Sequence, residues 1–383
     1  MYDLLDKLAD FRQEVRSYCE ENIAPRAAEL DEKQIYDNVV HDAIQAKGWW
    51  GCTVPKEYGG LGMSTAEYIV LVEEISRVCG STGLTFAAHN SLGTYPIQIF
   101  GSEEQKKKYL PKSCANGELI AFGLTEPEAG SDAGGTRTRA VRDGEYYILN
   151  GSKCWITSAT VCKTAIVTAR TSDEGGVKGI SSFVVEKGTE GFTSGKKENK
   201  LGCRGSNTAY LHLDDLKLHE SQRLGEEGVG FKQFMITLDG GRISIGAMAL
   251  GLAQAALEAA SSYALRRETF GKSISRYQAI QWKVADMATQ VEAARHLVYG
   301  AAHLKDSGQR MTKESAMCKL YASEVANFCT YQAIQICGAD GLTSRHPVER
   351  YYRDMKLCEI GEGTSEVQRL VIAREVFKGI AAM

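Results

Sequence analysis

The C-terminal part of the chain consists of long stretches in which apolar residues recur at helical spacing. Gly271, Gly308 and the segment from Gly338 to Gly341 separate these stretches, and no proline occurs between Pro127 and Pro347. Four helices are predicted, at residues 229–266, 276–306, 312–337 and 347–380. Because long amphipathic helices bury their apolar stripes against one another, this pattern predicts a four-helix bundle.

The N-terminal part is predicted to be helical as well. Ser64, followed three residues later by Glu67, forms a capping-box pattern that favours a helix start. A further helix is expected after Gly101, because acidic residues occupy its first turn, as the helix dipole favours. This helical character extends to about residue 120.

Between the two helical parts, the pattern changes to short strands. Residues 145–156 alternate around Asn150-Gly151, a pair typical of the type I′ turn of a β-hairpin. Further strands are predicted at residues 165–167, 182–185 and 209–213. The sequence therefore predicts an α+β fold with three domains. These are an N-terminal α-helical domain at 1–120, a middle β-barrel domain at 121–226 and a C-terminal four-helix bundle at 227–383.

Composition narrows the possible functions. With 43% hydrophobic residues, 24% charged residues and a formal net charge of -3, the chain is typical of a soluble globular protein and has no basic footprint for nucleic acid. The longest stretch without Asp, Glu, Lys or Arg, from Val78 to Ser102, is interrupted by glycines, a proline and polar residues, so no membrane span is expected.

The 11 cysteines form no CxxC pair, so neither a metal site nor a disulfide framework is expected. We expect a cytoplasmic protein or the mature form of a mitochondrial matrix protein.

Near the C-terminus, one carboxylate stands between two glycines. Residues 359–369 read Glu-Ile-Gly-Glu-Gly-Thr-Ser-Glu-Val-Gln-Arg, with Glu362 at the centre of the Gly-Glu-Gly triplet. Glycines let a backbone approach a bound group closely, and Thr364 or Ser365 can cap the helix that follows. The pattern presents Glu362 to a ligand or, in the alternative interpretation, forms a solvated loop with a helix cap.

A second, distant motif favours the first interpretation. Residues 122–132 read Phe-Gly-Leu-Thr-Glu-Pro-Glu-Ala-Gly-Ser-Asp. Together the two segments resemble the acyl-CoA dehydrogenase family of flavoenzymes, and the resemblance covers essentially the whole chain. It implies an α–β–α architecture, an FAD cofactor and Glu362 as the catalytic base that removes the α-proton of a thioester. It also implies that the backbone N–H of Glu362 and a flavin ribityl hydroxyl hold the thioester oxygen.

The resemblance further implies which residues contact FAD. They are Phe122, Leu124, Thr125, Gly130 and Ser131 in the second motif, Trp155, Ile156 and Thr157 in another flavin segment, Arg267, Phe270 and Gln278 toward the FAD of a neighbouring subunit, Gln335, Ile336, Gly338 and Ala339 in a further segment, and Thr364 and Glu366 beside the base. The alternative for Trp155 is an ordinary core aromatic, and the alternative for Glu366 is an i,i+4 surface partner. At Ala339 the chain departs from the usual Gly-Gly-x-Gly of the family, although a backbone contact would survive the methyl group.

The substrate side is implied in the same way. The expected substrate-binding residues are Ser131, Asp239, Arg242, Gly361 and Gly363. Arg242 could instead be only an internal ion-pair partner, because arginine is seldom buried alone. Some family members carry the base in the first bundle helix, at the position of Gly241, which cannot take a proton. Glu362 therefore remains the base.

Gly361 is the departure that bears on the acyl group. Short- and medium-chain relatives usually have a tyrosine at this position, so the glycine predicts room for a branched, cyclic or aryl-bearing acyl group. In the alternative interpretation, Phe86, Leu92 or Tyr95 refills the space.

The expected reaction is the FAD-dependent α,β-dehydrogenation of a short, branched or cyclic acyl-CoA to its 2-enoyl-CoA. The resemblance implies electron transfer to an electron-transferring flavoprotein and a homotetramer. An enoyl-CoA reductase, including one for aryl-enoyl-CoA, is the alternative on the same fold. A non-enzymatic CoA-binding or assembly protein would leave the base and both flavin segments without a role.

Overall fold

The computed structural model describes residues 2–173 and 176–382. Helices occupy the chain up to Asn116, strands lie between Ile120 and Leu224, and helices return from Gly230 onward. This order of helical, sheet and helical parts agrees with the α+β fold class expected from the sequence.

The N-terminal part contains eight α-helices within the described residues. They are α1 (Tyr2–Lys7), α2 (Ala9–Asn22), α3 (Ala27–Lys33), α4 (Asn38–Ala46), α5 (Thr65–Val78), α6 (Gly80–Ala88), α7 (Tyr95–Phe100) and α8 (Glu103–Asn116). The predicted capping box is present at the start of α5, where Ser64 Oγ accepts from the Glu67 N–H and the Glu67 carboxylate accepts from the Ser64 N–H. A π-helical segment, His89–Thr94, joins α6 to α7, and this uncharged stretch is largely buried.

The middle part is one sheet of eight strands. They are β1 (Ile120–Gly123), β2 (Arg139–Asp143), β3 (Tyr146–Thr157), β4 (Thr164–Arg170), β5 (Ile180–Glu186), β6 (Phe192–Ser194), β7 (Thr208–His219) and β8 (Arg223–Leu224). The pairing order is β6-β7-β3-β2-β4-β5-β8, and β1 pairs in parallel with β4. The three short strands expected at 165–167, 182–185 and 209–213 lie within β4, β5 and β7.

The hairpin turn predicted at Asn150-Gly151 is wrong. Tyr146–Thr157 is a single strand, and the β2–β3 turn is formed by Gly144, with a φ of 61°, and Glu145. Asn150 and Gly151 mark an irregularity in the β3–β7 pairing instead. There Asn150 Nδ2 donates to Asp215 Oδ1 at 3.0 Å, and Asn150 Oδ1 accepts from the Asp215 N–H at 2.8 Å. The Asn-Gly pair thus serves a bulge between two long strands, a contact that local sequence does not reveal.

The C-terminal part contains five α-helices in the described residues rather than four. They are α9 (Gly230–Arg266), α10 (Gln278–Asp306), α11 (Thr312–Cys337), α12 (Val348–Ile360) and α13 (Ser365–Ala381), with a small hairpin of β9 (Glu268–Thr269) and β10 (Lys272–Ser273) between α9 and α10. The segment predicted as one helix at 347–380 is divided into α12 and α13. The interruption contains Glu362, so the helix breaks at the Gly-Glu-Gly triplet.

Helix α9 lies at the centre of the molecule and packs against α5, α10, α11 and α12. Small residues allow this close packing: a Cβ at Gly251 would lie 3.0 Å from the backbone nitrogen of Arg77 and would overlap the carbonyl oxygen of Glu73. Within the described ranges, α9 is the one helix long and apolar enough to cross a membrane by length and composition, and most of it is buried inside the protein.

A buried carboxylate fixes α5 against the bundle. Glu73 accepts hydrogen bonds from Arg295 at 3.2 Å and from the Tyr299 hydroxyl at 2.8 Å, both on α10, and pairs with Arg12 of α2 at 2.7 Å. Because a buried charge is tolerated only when it is paired and hydrogen-bonded, this network holds the N-terminal helices in one position relative to the bundle. The same network therefore also determines which side chains of the N-terminal helices face α9.

Candidate active site

Glu362 lies in the short connection between α12 and α13. Its φ of 55° places a non-glycine residue in the left-handed region, which is uncommon and requires support from the surroundings. Gly363 follows with a φ of 97°, and the Thr364 side chain caps α13 by accepting from the Val367 N–H at 3.3 Å. Of the two cap candidates, Thr364 therefore takes the role.

Two buried polar side chains hold this connection in place. Gln368 Nε2 donates to the carbonyl oxygens of Glu362 at 3.3 Å and Gly363 at 2.8 Å. Lys319 Nζ, from α11, donates to the same Gly363 oxygen at 2.8 Å. Both side chains are fully buried, so they fix the left-handed conformation from one side while the helix cap fixes it from the other. Sequence reasoning missed both residues.

The Glu362 carboxylate is surrounded by protein. Oε2 is buried and has no hydrogen-bond partner within residues 2–173 and 176–382. Burial raises the pKa of Glu362 to about 7, while the charges of Arg242 and Lys319 act in the opposite direction. The residue keeps part of its surface accessible, as expected of a side chain at the wall of a cavity. A carboxylate with these properties suits a general base that works near neutral pH.

Gly241 provides the space that the carboxylate occupies. A Cβ on this residue of α9 would lie 2.8 Å from Glu362 Cδ and would overlap Oε2, and it would be 3.1 Å from Leu92 Cδ2. Positions 241 and 362 therefore face each other across the same volume. A side chain at one position excludes the carboxylate at the other, which explains why a base in the first bundle helix and a base at 362 are alternatives.

Arg242 is buried beside this volume. Its Nη1 donates to Asp239 Oδ1 at 2.6 Å, and Asp239 Oδ2 accepts from the Thr312 hydroxyl at 2.7 Å. Burial raises the pKa of Asp239, although Thr312 and Arg242 both favour its charged form. The ion pair expected in the alternative interpretation of Arg242 is thus present. The charge of Arg242 also interacts with the Glu362 carboxylate. Contact of Asp239 or Arg242 with CoA stays a prediction.

The expected flavin segments meet along one edge of the sheet. The Thr125 carbonyl accepts from the Cys154 N–H at 2.9 Å, which joins the Thr-Glu-Pro loop after β1 to strand β3. Glu126 and Lys153, both buried, form an ion pair at 2.6 Å, and Glu126 also accepts from the Thr138 N–H at 3.1 Å. This buried ion pair anchors the Thr-Glu-Pro loop to strand β3. Sequence reasoning missed it, because the partners are distant in the chain.

Trp155 is not a core aromatic. Its side chain is 59% exposed and its φ is 60°, at a second irregularity in the β3–β7 pairing. The side chain of Ile156 is buried, whereas Thr157, Phe122, Leu124 and Thr125 are half-buried, and Gly130 and Ser131 are exposed. The core interpretation of Trp155 is therefore wrong, and an exposed indole at this edge can pack against a planar ring system.

The residues expected to reach a neighbouring subunit's FAD are exposed. Arg267, Phe270 and Gln278 lie around the small hairpin after α9, and Phe270 is 93% exposed with a φ of 50°. Tyr263, near the end of α9, donates to Asp340 Oδ2 at 3.0 Å and so brings the segment after α11 to the same end of the bundle.

The remaining expected cofactor residues are divided between surface and core. Gln335, Gly338 and Ala339 are exposed, whereas the Ile336 side chain is buried and leaves only its backbone to a ligand. Glu366 is exposed at the start of α13, where its own backbone N–H and Thr364 hold its pKa below the ordinary value. An exposed indole, an exposed phenylalanine and an arginine suit a large aromatic and phosphate-bearing group such as FAD.

Comparison with known proteins places the whole chain in one family. Three family models match the chain. The model described as "Acyl-CoA dehydrogenase, N-terminal domain" matches residues 6–118, the one for the "middle domain" matches 121–216, and the one for the "C-terminal domain" matches 228–377. The short-chain specific acyl-CoA dehydrogenase of Clostridium acetobutylicum is 45% identical over 367 residues, which cover 96% of this chain and 97% of that protein. The acryloyl-CoA reductase (NADH) of Anaerotignum propionicum is 44% identical over 378 residues, which cover 98% and 94%.

Solved structures agree with this placement. Butyryl-CoA dehydrogenase from Megasphaera elsdenii superimposes with a TM-score of 0.94 at 43% identity, covering 96% of this chain and 97% of that one. A chain from a study of the electron transferring flavoprotein of Acidaminococcus fermentans and flavin-based electron bifurcation has a TM-score of 0.94 at 46% identity, covering 95% and 96%. Fold and relatives together define an oxidoreductase. The chain belongs to the acyl-CoA dehydrogenase family, whose members are FAD flavoproteins.

Replacing Gly241 tests whether the empty space at this position is required. In Gly241→Ala the new methyl group overlaps Oε2 and displaces the carboxylate, so we expect flavin reduction by a short acyl-CoA to slow by roughly a hundredfold, the order expected for an ångström-scale misplacement. Stopped-flow absorbance under anaerobic conditions measures this rate. Gly246→Ala, on the same helix, is the matched control, because its new Cβ would come no nearer to its neighbours than 3.3 Å, at the side-chain atom Cγ2 of Val298. A near wild-type rate in Gly241→Ala would contradict the account.

Proposed function

We propose that this chain is an FAD-dependent short-chain acyl-CoA dehydrogenase, which converts a short, branched or cyclic acyl-CoA to its trans-2-enoyl-CoA. The observation that carries the proposal is the Glu362 carboxylate, which is buried, has an unpartnered oxygen and has a pKa raised to about 7. The relatives named as short-chain specific and butyryl-CoA dehydrogenases support the acyl class.

The proposed role of the chain is to position the thioester and to move one proton. Glu362 takes the proton from Cα, and when bound, FAD supplies the acceptor for the hydride that leaves Cβ. The Glu362 N–H has no acceptor within the described residues, so it is free to donate to the thioester oxygen and stabilise the negative charge that develops there. The left-handed backbone conformation of Glu362 therefore positions both its N–H group and its carboxylate for these proposed roles.

The reverse reaction is the second candidate. A group with a pKa near 7 is present in both protonation states around neutral pH, so Glu362 can equally donate a proton to Cα of an enoyl-CoA. The similarity to an acryloyl-CoA reductase supports this candidate. In either direction the same carboxylate exchanges the same proton.

FAD is proposed to bind without a covalent bond across a subunit interface of a homotetramer. The support is the exposed apolar surface of Phe270 beside Arg267 and Gln278, which a neighbouring subunit and its cofactor would cover. Electrons are proposed to pass to an electron-transferring flavoprotein, in line with the Acidaminococcus structure. We also propose a cytoplasmic location, which the many buried free thiols favour, with the mitochondrial matrix as the alternative.

Gly361 is proposed to widen the acyl pocket. Its φ of -64° is available to any residue, so the backbone does not require glycine here. A Cβ would lie 3.3 Å from the Leu357 carbonyl oxygen, which a small shift accommodates. Of the side chains that could refill the space, Phe86 is fully buried against Trp50 and Tyr68 and is not free to do so.

The first test removes the base. Glu362→Gln keeps the size of the side chain but cannot accept a proton, so we expect FAD and ligand binding to persist while flavin reduction slows by at least roughly a hundredfold. Anaerobic bleaching of the flavin by butyryl-CoA measures the rate, and the flavin spectrum measures retention. Flavin reduction at close to the wild-type rate would show that another group is the base.

The second test fills the proposed space. Gly361→Tyr should selectively penalise branched or ring-bearing thioesters, because overpacking a closed site commonly costs about 1–3 kcal/mol. The measurement is the ratio of kcat/KM for a bulky and a linear substrate, with Gly361→Ala as the control that adds a single methyl group. If the ratio does not change in Gly361→Tyr, neighbouring side chains already fill the gap and the substrate is an ordinary short linear acyl-CoA.

A further inference from the structure

Lys305 places an ammonium group next to the volume that holds the base. It lies near the end of α10, and a Cβ on Gly240 would be 3.0 Å from Lys305 Nζ and 3.9 Å from Tyr95 Cε1. The next residue of α9, Gly241, faces Glu362 and Leu92 in the same way. Two consecutive glycines thus leave room for a cation on one side and for the catalytic carboxylate on the other.

The side chains that face these glycines form one surface. Leu92 and Tyr95 are three residues apart, at the end of the π-helical segment and the start of α7, so their side chains lie on the same face. Lys305 Nζ lies 4.2 Å from the centre of the Tyr95 ring. Lys305 and Glu362 are each largely enclosed by protein and still partly accessible.

Lys305 lacks an acceptor for its hydrogen bonds. No hydrogen bond or ion pair of Nζ occurs in the described part of the chain, where the Tyr95 ring is its close neighbour. The adjacent Asp306 is already engaged, because its two oxygens accept from the N–H groups of Thr65 and Ala66 at 2.7 and 3.0 Å. Burial lowers the pKa of Lys305 to about 8, with Asp306 opposing the shift. At neutral pH the group is therefore mainly a charged donor without a partner.

The other carboxylate near this surface is engaged as well. Asp239 influences Tyr95, and its oxygens are held by Arg242 and Thr312. An ammonium that protein largely encloses and that has no anionic partner is unfavourable, and a bound carboxylate would remove that cost. A purely aliphatic acyl chain would leave it in place.

We propose that Lys305 is a specificity-determining residue that binds a carboxylate at the far end of the acyl chain, so that the preferred substrates are acyl-CoA thioesters with a terminal carboxylate. This inference rests on the proposed dehydrogenase function and names its substrate class. The acyl chain starts at Glu362, runs along Leu92 and Tyr95 and ends at Lys305. The reaction at Cα and Cβ is unchanged, and the terminal carboxylate takes no part in it.

Matched thioester pairs test the proposal. Succinyl-, glutaryl- and adipyl-CoA are each compared with the thioester in which an isopropyl end replaces the carboxylate, a neutral group of similar shape. Wild-type holoenzyme should oxidise at least one carboxylated member with a kcat/KM roughly tenfold or more above that of its neutral partner, as expected for a hydrogen-bonded charge pair. In Lys305→Met that ratio should fall by the same factor, mainly through KM.

Lys217→Met is the matched control. Lys217 also places its ammonium over a tyrosine ring, at 4.4 Å from the centre of Tyr146, but it is exposed in the middle domain. Its loss should leave the ratio as in the wild type. Equal losses for both members of a pair in Lys305→Met would show a purely structural role and overturn the proposal.

Two further outcomes separate this inference from the function it rests on. Oxidation of the neutral thioesters without any preference for a carboxylate would overturn the role of Lys305 and leave the dehydrogenase function standing. If no thioester bleaches the flavin, butyryl-CoA included, the proposed function fails and this inference fails with it.

Discussion

The Glu362 carboxylate occupies space that exists because residue 241 has no side chain. Bringing a carboxylate into this position removes it from water, and the rise of its pKa to about 7 reflects that loss of solvation. Arg242 and Lys319 limit the shift, so the group titrates near neutrality instead of staying protonated. The pKa of this carboxylate thus depends on a balance between burial and two cations. Arg242 comes from α9, Lys319 from α11 and Glu362 from the connection between α12 and α13.

The backbone around the site is held in uncommon conformations. Glu362, Trp155 and Phe270 all have positive φ values, and each lies where the family resemblance places substrate or cofactor. Such residues persist only where the surroundings determine them strongly. At Glu362 this support comes from Lys319 and Gln368. The division of the last predicted helix into α12 and α13 is the consequence, because a left-handed residue cannot continue a right-handed helix.

Local sequence pattern predicted much of this architecture. Helical spacing located α9, α10 and α11 closely, and the Gly-Glu-Gly triplet identified Glu362, because both signals are carried by neighbouring residues. The turn at Asn150 was mispredicted, because the same residue pair also suits a bulge whose partner, Asp215, lies far along the chain. The structural role of a residue could be predicted from the sequence where its contacts are with residues nearby in the chain, and not where they are with distant ones.

The parts of the site that sequence did not reveal depend on long-range contacts. From the sequence, Gly241 could be interpreted only as the absence of a base, whereas the structure shows that its missing side chain leaves space for the Glu362 carboxylate. Glu126 and Lys153 pair across the sheet, and Lys319 reaches the Glu362 connection from another helix. For Lys319 the available signal is a lysine at a position where helical spacing in α11 places buried side chains. Helical spacing alone does not say which buried side chain faces a functional group.

Glu362 is a buried carboxylate that keeps its proton up to near-neutral pH. Isotope-edited infrared difference spectra of wild-type protein and Glu362→Gln, recorded across a pH series, isolate the carboxyl band of this one residue. The account predicts that the band of the protonated acid loses half its intensity at about pH 7. Half-titration near 4.5, the ordinary value for a glutamate, would contradict it.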